Sequence, residues 1–495
     1  MTTYDGTESS ITTIKKMALQ GDAESQYKLG FCYKEGIGTP QNYKEAVKWL
    51  KIAAEAGYAL AQGDLSHCLF YGFGVVEDKE KAIQWAFKAA EQGIANAQAR
   101  LGDCYFHGDG IEKDYDKAVE WLKKAVAQEH SLALNLLGIC YQNGYGVVQN
   151  YEEAVKYFRI ASEKGNANAL FNLAMCLHKG LGVEKDDKES GRCFRKAAEL
   201  GDAASQNYLG VCYLEGRGVE KNYEKAVEWF TKASEQKFPA AQCNLGFCYE
   251  SGKGIEQDYK KAVELYRKAA EHKLPIAQTN LAHCYELGLG IEQDYKKAVG
   301  YYAAAAENDS EAQVCLGWCF QKGFGVHQDY KKAVELYSIA SNKGNARAQV
   351  NLGYCYEYGL GVEPDIEKAI DLYSRSAKGH NANAMNNLGA CFLNGEGVEK
   401  NEKKAYEWFT KAAELGDALA QWNLAYCYEH GVGVERNYEN AIFWLARAAE
   451  QGDTEAEKAI KRIRVSQVNE ADLATVCKAN RLQPGASVAN ERVKD

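Results

Sequence analysis

Sixteen cysteines are the residues of this 495-residue chain best suited to chemistry, as thiolate nucleophiles or as metal ligands. Their spacing argues against both uses. Twelve fall at 32, 68, 104, 140, 176, 212, 248, 284, 319, 355, 391 and 427, 36 residues apart except for one interval of 35 between Cys284 and Cys319. Cys315 and Cys319 share a helix face at i, i+4, but no second ligand pair accompanies them. His67, His107, His178, His283 and His430 occur one to a unit, with no His-x3-His step. Ser25…Lys28 and Ser234…Lys237 have the Ser-x-x-Lys form of a penicillin-type nucleophile, yet Lys-Thr-Gly and Ser-Asp-Asn are missing. Gly-x-Gly pairs recur, but no strand precedes them and no Gly-Lys-[Ser/Thr] follows, so they are not phosphate loops. The expectation is a chain with no catalytic residues, no cofactor and no metal.

The same cysteines mark a structural period. Each sits in the frame Leu-[Gly/Ala/Ser]-x-Cys-[Tyr/Phe/Leu], as in Leu29-Gly30-Phe31-Cys32-Tyr33 and Leu352-Gly353-Tyr354-Cys355-Tyr356. A fixed period of this size means stacked like units rather than one globular enzyme domain. In the unit 22–57, Leu29, Cys32 and Tyr33 recur at i, i+3, i+4, which predicts a helix A over 23–35 with one buried face. Gly30 leaves room for close approach by another helix, and Gly36 ends helix A in a left-handed conformation. Four residues after the second glycine of each connector stands Asp or Asn: Asn42, Asp78, Asp114, Asn150, Asp186, Asn222, Asp258, Asp294, Asp329, Asp365, Asn401 and Asn437. These are N-caps of a helix B, and Asn42…Glu45 and Asn150…Glu153 have the form of capping boxes. Helix B reads Ala46-Val47-x-Trp49-Leu50-x-x-Ala53-Ala54; the Ala46 position is Ala in eleven units and Ser190 in the other, a smallness that implies close helix contact. The helix B tryptophans Trp49, Trp85, Trp121, Trp229, Trp408 and Trp444 are read as core. Pro40, Pro239, Pro275, Pro364 and Pro484 all avoid helix interiors.

Equivalent residues of stacked helix pairs lie about 10 Å apart, and a disulfide needs Cα atoms within about 7 Å. The ladder thiols are therefore expected to be reduced and buried. The net charge of −9 argues against a nucleic-acid partner, and lysines interleave with glutamates as on solvated helix faces. No apolar run approaches the ~20 residues that span a bilayer, and Met1 to Ser10 is polar without a following apolar stretch. A cytoplasmic location without membrane attachment is expected. The organisation expected is a capping helix within 1–21, twelve repeats over 22–452, a C-terminal capping helix over 453–464, and a tail over 465–495 with a short helix near Ala471 to Ala479.

The frame Ala-x-Ala-Gln-x-Asn-Leu-Gly-x-Cys-Tyr-x-x-Gly-x-Gly-Val-x-x-Asp-Tyr-x-Lys-Ala-Val-x-Trp-[Phe/Tyr]-x-Lys-Ala-Ala-Glu closely resembles the Sel1-like repeat, most completely at 241–271 and 418–451. The resemblance implies an all-α fold, an α/α superhelical solenoid of antiparallel helix pairs related to tetratricopeptide stacks. It also implies an adaptor or scaffold that binds a protein or peptide, and not an enzyme. Bacterial cysteine-rich members carry two cysteines per repeat, bonded between helices A and B, where this chain has one. Two other readings come with the likeness: an RNA-binding helical-repeat protein of pentatricopeptide kind, and a hydrolase by analogy with the cysteine-rich bacterial members.

A second stripe on helix A, comprising Tyr27, Lys28, Phe31, Lys34 and Glu35 in the first unit, lines the concave groove in tetratricopeptide-like stacks. The Lys28 position is Asn in six units, and an amide both donates to and accepts from an extended peptide backbone. The expected site is therefore this stripe in the C-terminal units. Trp318, Tyr354, Trp422 and Tyr426 would be apolar anchors, and Asn280, Asn351, Asn387 and Asn423 would hold the ligand backbone. Glu286, Glu357 and Glu429 would attract a partly basic ligand.

Overall fold

The computed structural model describes the backbone of residues 8–466 and the side chains of 11–464. These residues form twenty-six α-helices and no strand. The chain divides into two units, Met1–Gln236 and Lys237–Asp495. In the first, α1 (Glu8–Leu19) packs on α2 (Ala23–Glu35). Antiparallel pairing then continues through α3 (Tyr43–Glu55), α4 (Ala59–Tyr71), α5 (Lys79–Glu91), α6 (Ala95–His107), α7 (Tyr115–Val126), α8 (Ser131–Asn143) and α9 (Tyr151–Glu163). It ends with α10 (Ala167–Lys179), α11 (Asp187–Glu199), α12 (Ala203–Glu215) and α13 (Tyr223–Glu235). The second unit holds α14 (Pro239–Ser251), α15 (Tyr259–Glu271), α16 (Pro275–Leu287), α17 (Tyr295–Ala305), α18 (Ser310–Lys322), α19 (Tyr330–Asn342) and α20 (Ala346–Tyr358). It closes with α21 (Ile366–Lys378), α22 (Ala382–Asn394), α23 (Glu402–Glu414), α24 (Ala418–His430), α25 (Tyr438–Glu450) and α26 (Thr454–Ser466). Even-numbered helices from α2 to α24 are helices A; odd-numbered ones from α3 to α25 are helices B. Each unit is a solenoid in which every helix packs on its chain neighbours.

The local reasons are polar and repeat at every rung. The side chain of each of the twelve Asp/Asn caps accepts a backbone N–H in the first turn of its helix B. The capping boxes expected at Asn42 and Asn150 form only in this forward half. The Asn42 and Asn150 N–H groups donate instead to the Tyr33 and Tyr141 carbonyls, both at 2.8 Å, closing the connector onto helix A. A donor already used there cannot take the Glu45 or Glu153 carboxylate. Gly36 stands at φ +72 and, with Ile37, donates to the Cys32 carbonyl, the C-terminal cap that only a residue tolerant of left-handed backbone makes cheaply. The 35-residue interval is absorbed by α17, which ends after 11 residues where other helices B run to 12 or 13.

Packing follows from size matching. The helix A glycine faces the large residue of its own helix B: a Cβ at Gly138 would stand 2.6 Å from the Phe158 ring, and one at Gly246 2.7 Å from Tyr266. Phe158, Phe194, Phe230, Tyr266, Tyr302, Tyr337, Tyr373 and Phe409 are among the largest fully buried side chains. All eleven alanines at the Ala46 position are fully buried, and Ser190 there donates its hydroxyl to the Ala174 carbonyl at 2.8 Å. Ile14 and Ala18 of α1 pack with Leu29 and Trp49, and Ala456, Ala459 and Ile463 of α26 close the other unit on Ala441, Leu445 and Ala448. The helix expected near Ala471 to Ala479, and the tail from 467 onward, lie outside the described residues.

Eleven of the twelve ladder cysteines are buried, as expected; Cys212 is half-buried and corrects the twelfth. All fifteen cysteines among the described residues are free thiols. Burial pushes the thiols up, Cys68 to about 11 and Cys104, Cys140, Cys355 and Cys427 to about 12, so at neutral pH they are un-ionised and poor nucleophiles. A maleimide reagent at pH 7.5, read by peptide mass mapping, is expected to label Cys212 well before Cys104 or Cys427. Equal rates at the three would mean that the rungs open faster than the reagent reacts.

Candidate functional site

The helix A stripe of the second unit carries aromatic side chains at the margin of its core, Trp318 among those packed against the cluster that holds Cys284, Leu316 and Cys319. Trp318 on α18 is half-buried and meets Phe324 edge-on at 5.0 Å, and Phe324 in the following connector stacks on Tyr295 at 4.9 Å. On α20, Tyr354 lies 4.4 Å from Tyr358, and Tyr358 is exposed. On α24, Tyr426 lies 4.2 Å from His430. Partial burial raises the Tyr354 and Tyr358 hydroxyls above their ordinary range, with neighbouring Cys355 and Tyr354 respectively adding to it. Trp422 differs: it packs beside the terminal cluster of α25 and α26, so it belongs to the closing rung as much as to the stripe.

The amide row expected to hold a ligand backbone is largely occupied by the fold. Asn423 donates to the Asn386 Oδ1 at 2.8 Å and Asn280 to the Cys243 Sγ at 3.6 Å, each reaching the preceding helix A. Asn172 donates to Asn135 in the same way in the first unit, at 3.0 Å. Asn387 is buried beside the Tyr373 hydroxyl. Asn351 is half-buried, and the residue equivalent to Asn386 on the helix before it is Val314, which has no acceptor. Asn387 and Asn423 are thus corrected from accessible to interior positions. The physical reason is contact between rungs, invisible within a single repeat: Asn423 meets Asn386, 37 residues earlier, and Asn387 meets Tyr373 of the preceding helix B.

Two of the three carboxylates, Glu286 and Glu429, are interior as well. Glu286 is 2% exposed; it accepts the Tyr302 hydroxyl at 2.5 Å, and its Oε2 lies 3.7 Å from the His283 Nδ1. Glu357 accepts from Tyr373 at 2.8 Å, Glu250 from Tyr266 at 2.5 Å, and Gln321 from Tyr337 at 2.8 Å. Four successive rungs therefore carry a buried tyrosine on helix B bonded to an acceptor in the last turn of helix A. Burial, above all, holds the Tyr266, Tyr337 and Tyr373 hydroxyls well above their usual range. Glu429 is buried under Arg462 of α26, with contacts of 2.7 and 2.8 Å. Glu286 and Glu429 are therefore interior groups bonded within the fold, not the exposed carboxylates expected. The clue was present: tyrosine stands 16 residues after the acceptor in each of these four rungs.

A second aromatic group on the same stripe, in the first unit, was missed. Arg100 reaches the His67 Nδ1 and the Tyr71 hydroxyl, both at 2.9 Å, while Phe73 stacks on Tyr43 at 5.2 Å. Tyr71 and Phe73 are exposed. Their positions follow from the repeat phase, which applies equally to both halves of the chain. Among the described residues no group of three or more His, Cys, Asp or Glu could hold a metal ion, and no helix is long and apolar enough to cross a membrane.

Comparison with known proteins matches this architecture. The Sel1 repeat model matches twelve times, at 23–58, 59–94, 95–130, 131–166, 167–202, 203–238, 239–274, 275–310, 310–345, 346–381, 382–417 and 418–453. A protective antigen of uropathogenic Escherichia coli strains displaying an SLR fold is 32% identical, with 88% of this chain and 99% of that chain covered and a TM-score of 0.61. A Sel1 repeat protein from Oxalobacter formigenes is 31% identical over 62% of this chain and 89% of its own, with a TM-score of 0.44. No curated protein matches the chain.

Proposed function

The chain belongs to the Sel1-repeat family, and on that premise we propose that it is a non-catalytic scaffold that holds a protein or an extended peptide against the helix A stripe of its second unit. Sel1-repeat proteins commonly serve as protein-interaction scaffolds. The observation that supports this placement is the pairing of half-buried and exposed aromatic rings, Trp318 with Phe324 and Tyr354 with Tyr358, on helices whose interior faces are otherwise fixed. Such rings give large contact area at low conformational cost and are typical anchors of protein interfaces. Asn280, Asn351, Glu357 and Tyr426 flank them and remain in the proposed site, with Trp422 at its end. Free thiols at positions spaced beyond disulfide reach suit a reducing compartment, the cytoplasm.

The test is capture of partners from an extract by the full chain and by a Trp318→Ala/Tyr358→Ala variant. Loss of a central aromatic anchor costs about 2 kcal/mol or more, roughly thirtyfold in affinity. The same partner is expected to be lost from the double variant and weakened by Tyr358→Ala alone. The Tyr358 ring is exposed, so that single change should leave the thermal midpoint near that of the parent, although Trp318→Ala, which also unpacks the core margin, lowers it. Undiminished binding by a folded variant would remove the site from this stripe. If the ligand is basic, binding should also weaken as salt rises.

A further inference from the structure

One helix B breaks the repeat pattern, and a cavity lies where it does. At the Val47 position eleven units carry Val, Ile or Tyr, but α11 carries Gly191; at the Trp49 position the others carry Trp, Tyr or Leu, and α11 carries Cys193. In other rungs the second connector glycine of the next rung lies against the start of the preceding helix B, on its backbone (Tyr43 at Gly74, Tyr259 at Gly290) or on the first of these side chains. A Cβ at Gly110 would stand 3.1 Å from the Ile83 Cδ1, and one at Gly397 2.7 Å from the Ile370 Cδ1. At Gly218 a Cβ meets neither the backbone nor a side chain of α11 within 4 Å, and one at Gly191 likewise meets nothing, so this connector stands away from α11 where its equivalents touch the preceding helix B. A cavity of about 1020 Å³ lies around α11, and the half-buried ladder cysteine, Cys212, lines it.

The chemistry of the walls narrows the occupant. Phe194 and Tyr208, stacked at 3.9 Å, form an apolar floor with Leu173, Leu209 and Val219. Of the carboxylates at the rim, Asp187 is held by His178 at 2.9 Å and Lys185 at 3.2 Å, and Glu189 by Arg159 at 2.7 Å. Among the described residues Lys188, Arg192, Arg195 and Lys196 are in no ion pair, against Glu163 and Glu199 on the other side of the balance. All four cations are exposed on α11.

We propose that this cavity is a second binding site, a socket for a tryptophan- or tyrosine-sized side chain presented by an acidic peptide segment of a protein partner. The ring would restore the volume that Gly191 and Cys193 leave empty and cover the Phe194–Tyr208 floor, while Arg192 and Arg195 take the flanking carboxylates. This site lies in the first unit and has the opposite charge preference to the stripe proposed above, so either can fail without the other.

The experiment uses the full chain and fluorescein-labelled peptides of sequence Glu-Glu-Trp-Glu-Glu, Glu-Glu-Ala-Glu-Glu and Lys-Lys-Trp-Lys-Lys, read by polarisation and by the rate at which maleimide labels Cys212. The acidic tryptophan peptide is expected to bind saturably, at least about tenfold tighter than either control, and to slow Cys212 labelling. Gly191→Val, which fills the gap, should abolish both effects while raising the melting temperature, so that loss of binding is not loss of fold. Arg192→Glu/Arg195→Glu should weaken the acidic peptide and spare the melting temperature. The proposal is overturned by absent or non-saturable binding, or by equal binding to the Gly191→Val protein. It is also overturned if N-acetyltryptophanamide protects Cys212 as well as the peptide does at equal concentration, since the cavity would then be a small-molecule pocket.

Discussion

Tyr302→Ala is expected to destabilise the second unit by about 3–5 kcal/mol, the range for emptying a large buried aromatic site. Tyr302 is fully buried, and its ring lies in the cluster formed with Leu281, Cys284, Ala298 and Cys319. The milder Tyr302→Phe keeps the ring and removes only the hydroxyl given to Glu286, at an expected cost of about 1–3 kcal/mol for leaving a buried acceptor without its donor. Coupling tests the assignment. In a double-mutant cycle with Glu286→Met, the combined change should cost clearly less than the sum of the two single changes, because the second removes the polar group the first has deprived of its donor. Chemical denaturation followed by circular dichroism measures the costs, and native-state hydrogen exchange should confine the damage to the rungs next to α17. Additive effects would show that the tyrosine and the carboxylate do not act as a pair.

The second large effect is expected at the connector glycines, and it separates two residues of the same Gly-x-Gly. Gly288 and Gly290 stand at φ +71 and +66. A Cβ at Gly288 would make ordinary contact with Gln293 at 3.4 Å, so Gly288→Ala should cost only the left-handed backbone penalty, about 1–2 kcal/mol. At Gly290 the added Cβ would collide with the Tyr259 backbone at the start of α15, in the preceding rung. Backbone cannot rotate aside as a side chain can, so an overpacking cost of about 1–3 kcal/mol adds to the same penalty. Gly290→Ala should therefore lower the urea midpoint by distinctly more than Gly288→Ala. Matching midpoints would mean that rung-to-rung approach at this glycine tolerates a methyl group.

Everything local was legible in the sequence. The 36-residue cysteine period phased the helices, the Asp/Asn positions marked every helix B start, and Gly36 and its equivalents marked every helix A end. Each depends on interactions spanning a few residues, where side-chain type alone decides the outcome. The alanines and glycines likewise announced close helix contact within a repeat, because smallness has few other uses there. What the sequence could not decide was which side chains of the second stripe the stack itself consumes. Asn423 and Glu429 look like free polar groups on a helix surface, yet they meet Asn386 and Arg462 only when successive rungs pack at a particular distance and angle. The same holds for Gly191, unremarkable as a single glycine in a helix, which lines a cavity with Cys212 only because the Gly218 connector of the next rung stands away from α11. Contacts within a rung follow from periodicity. Contacts between rungs depend on the packing distance, which only the folded stack fixes.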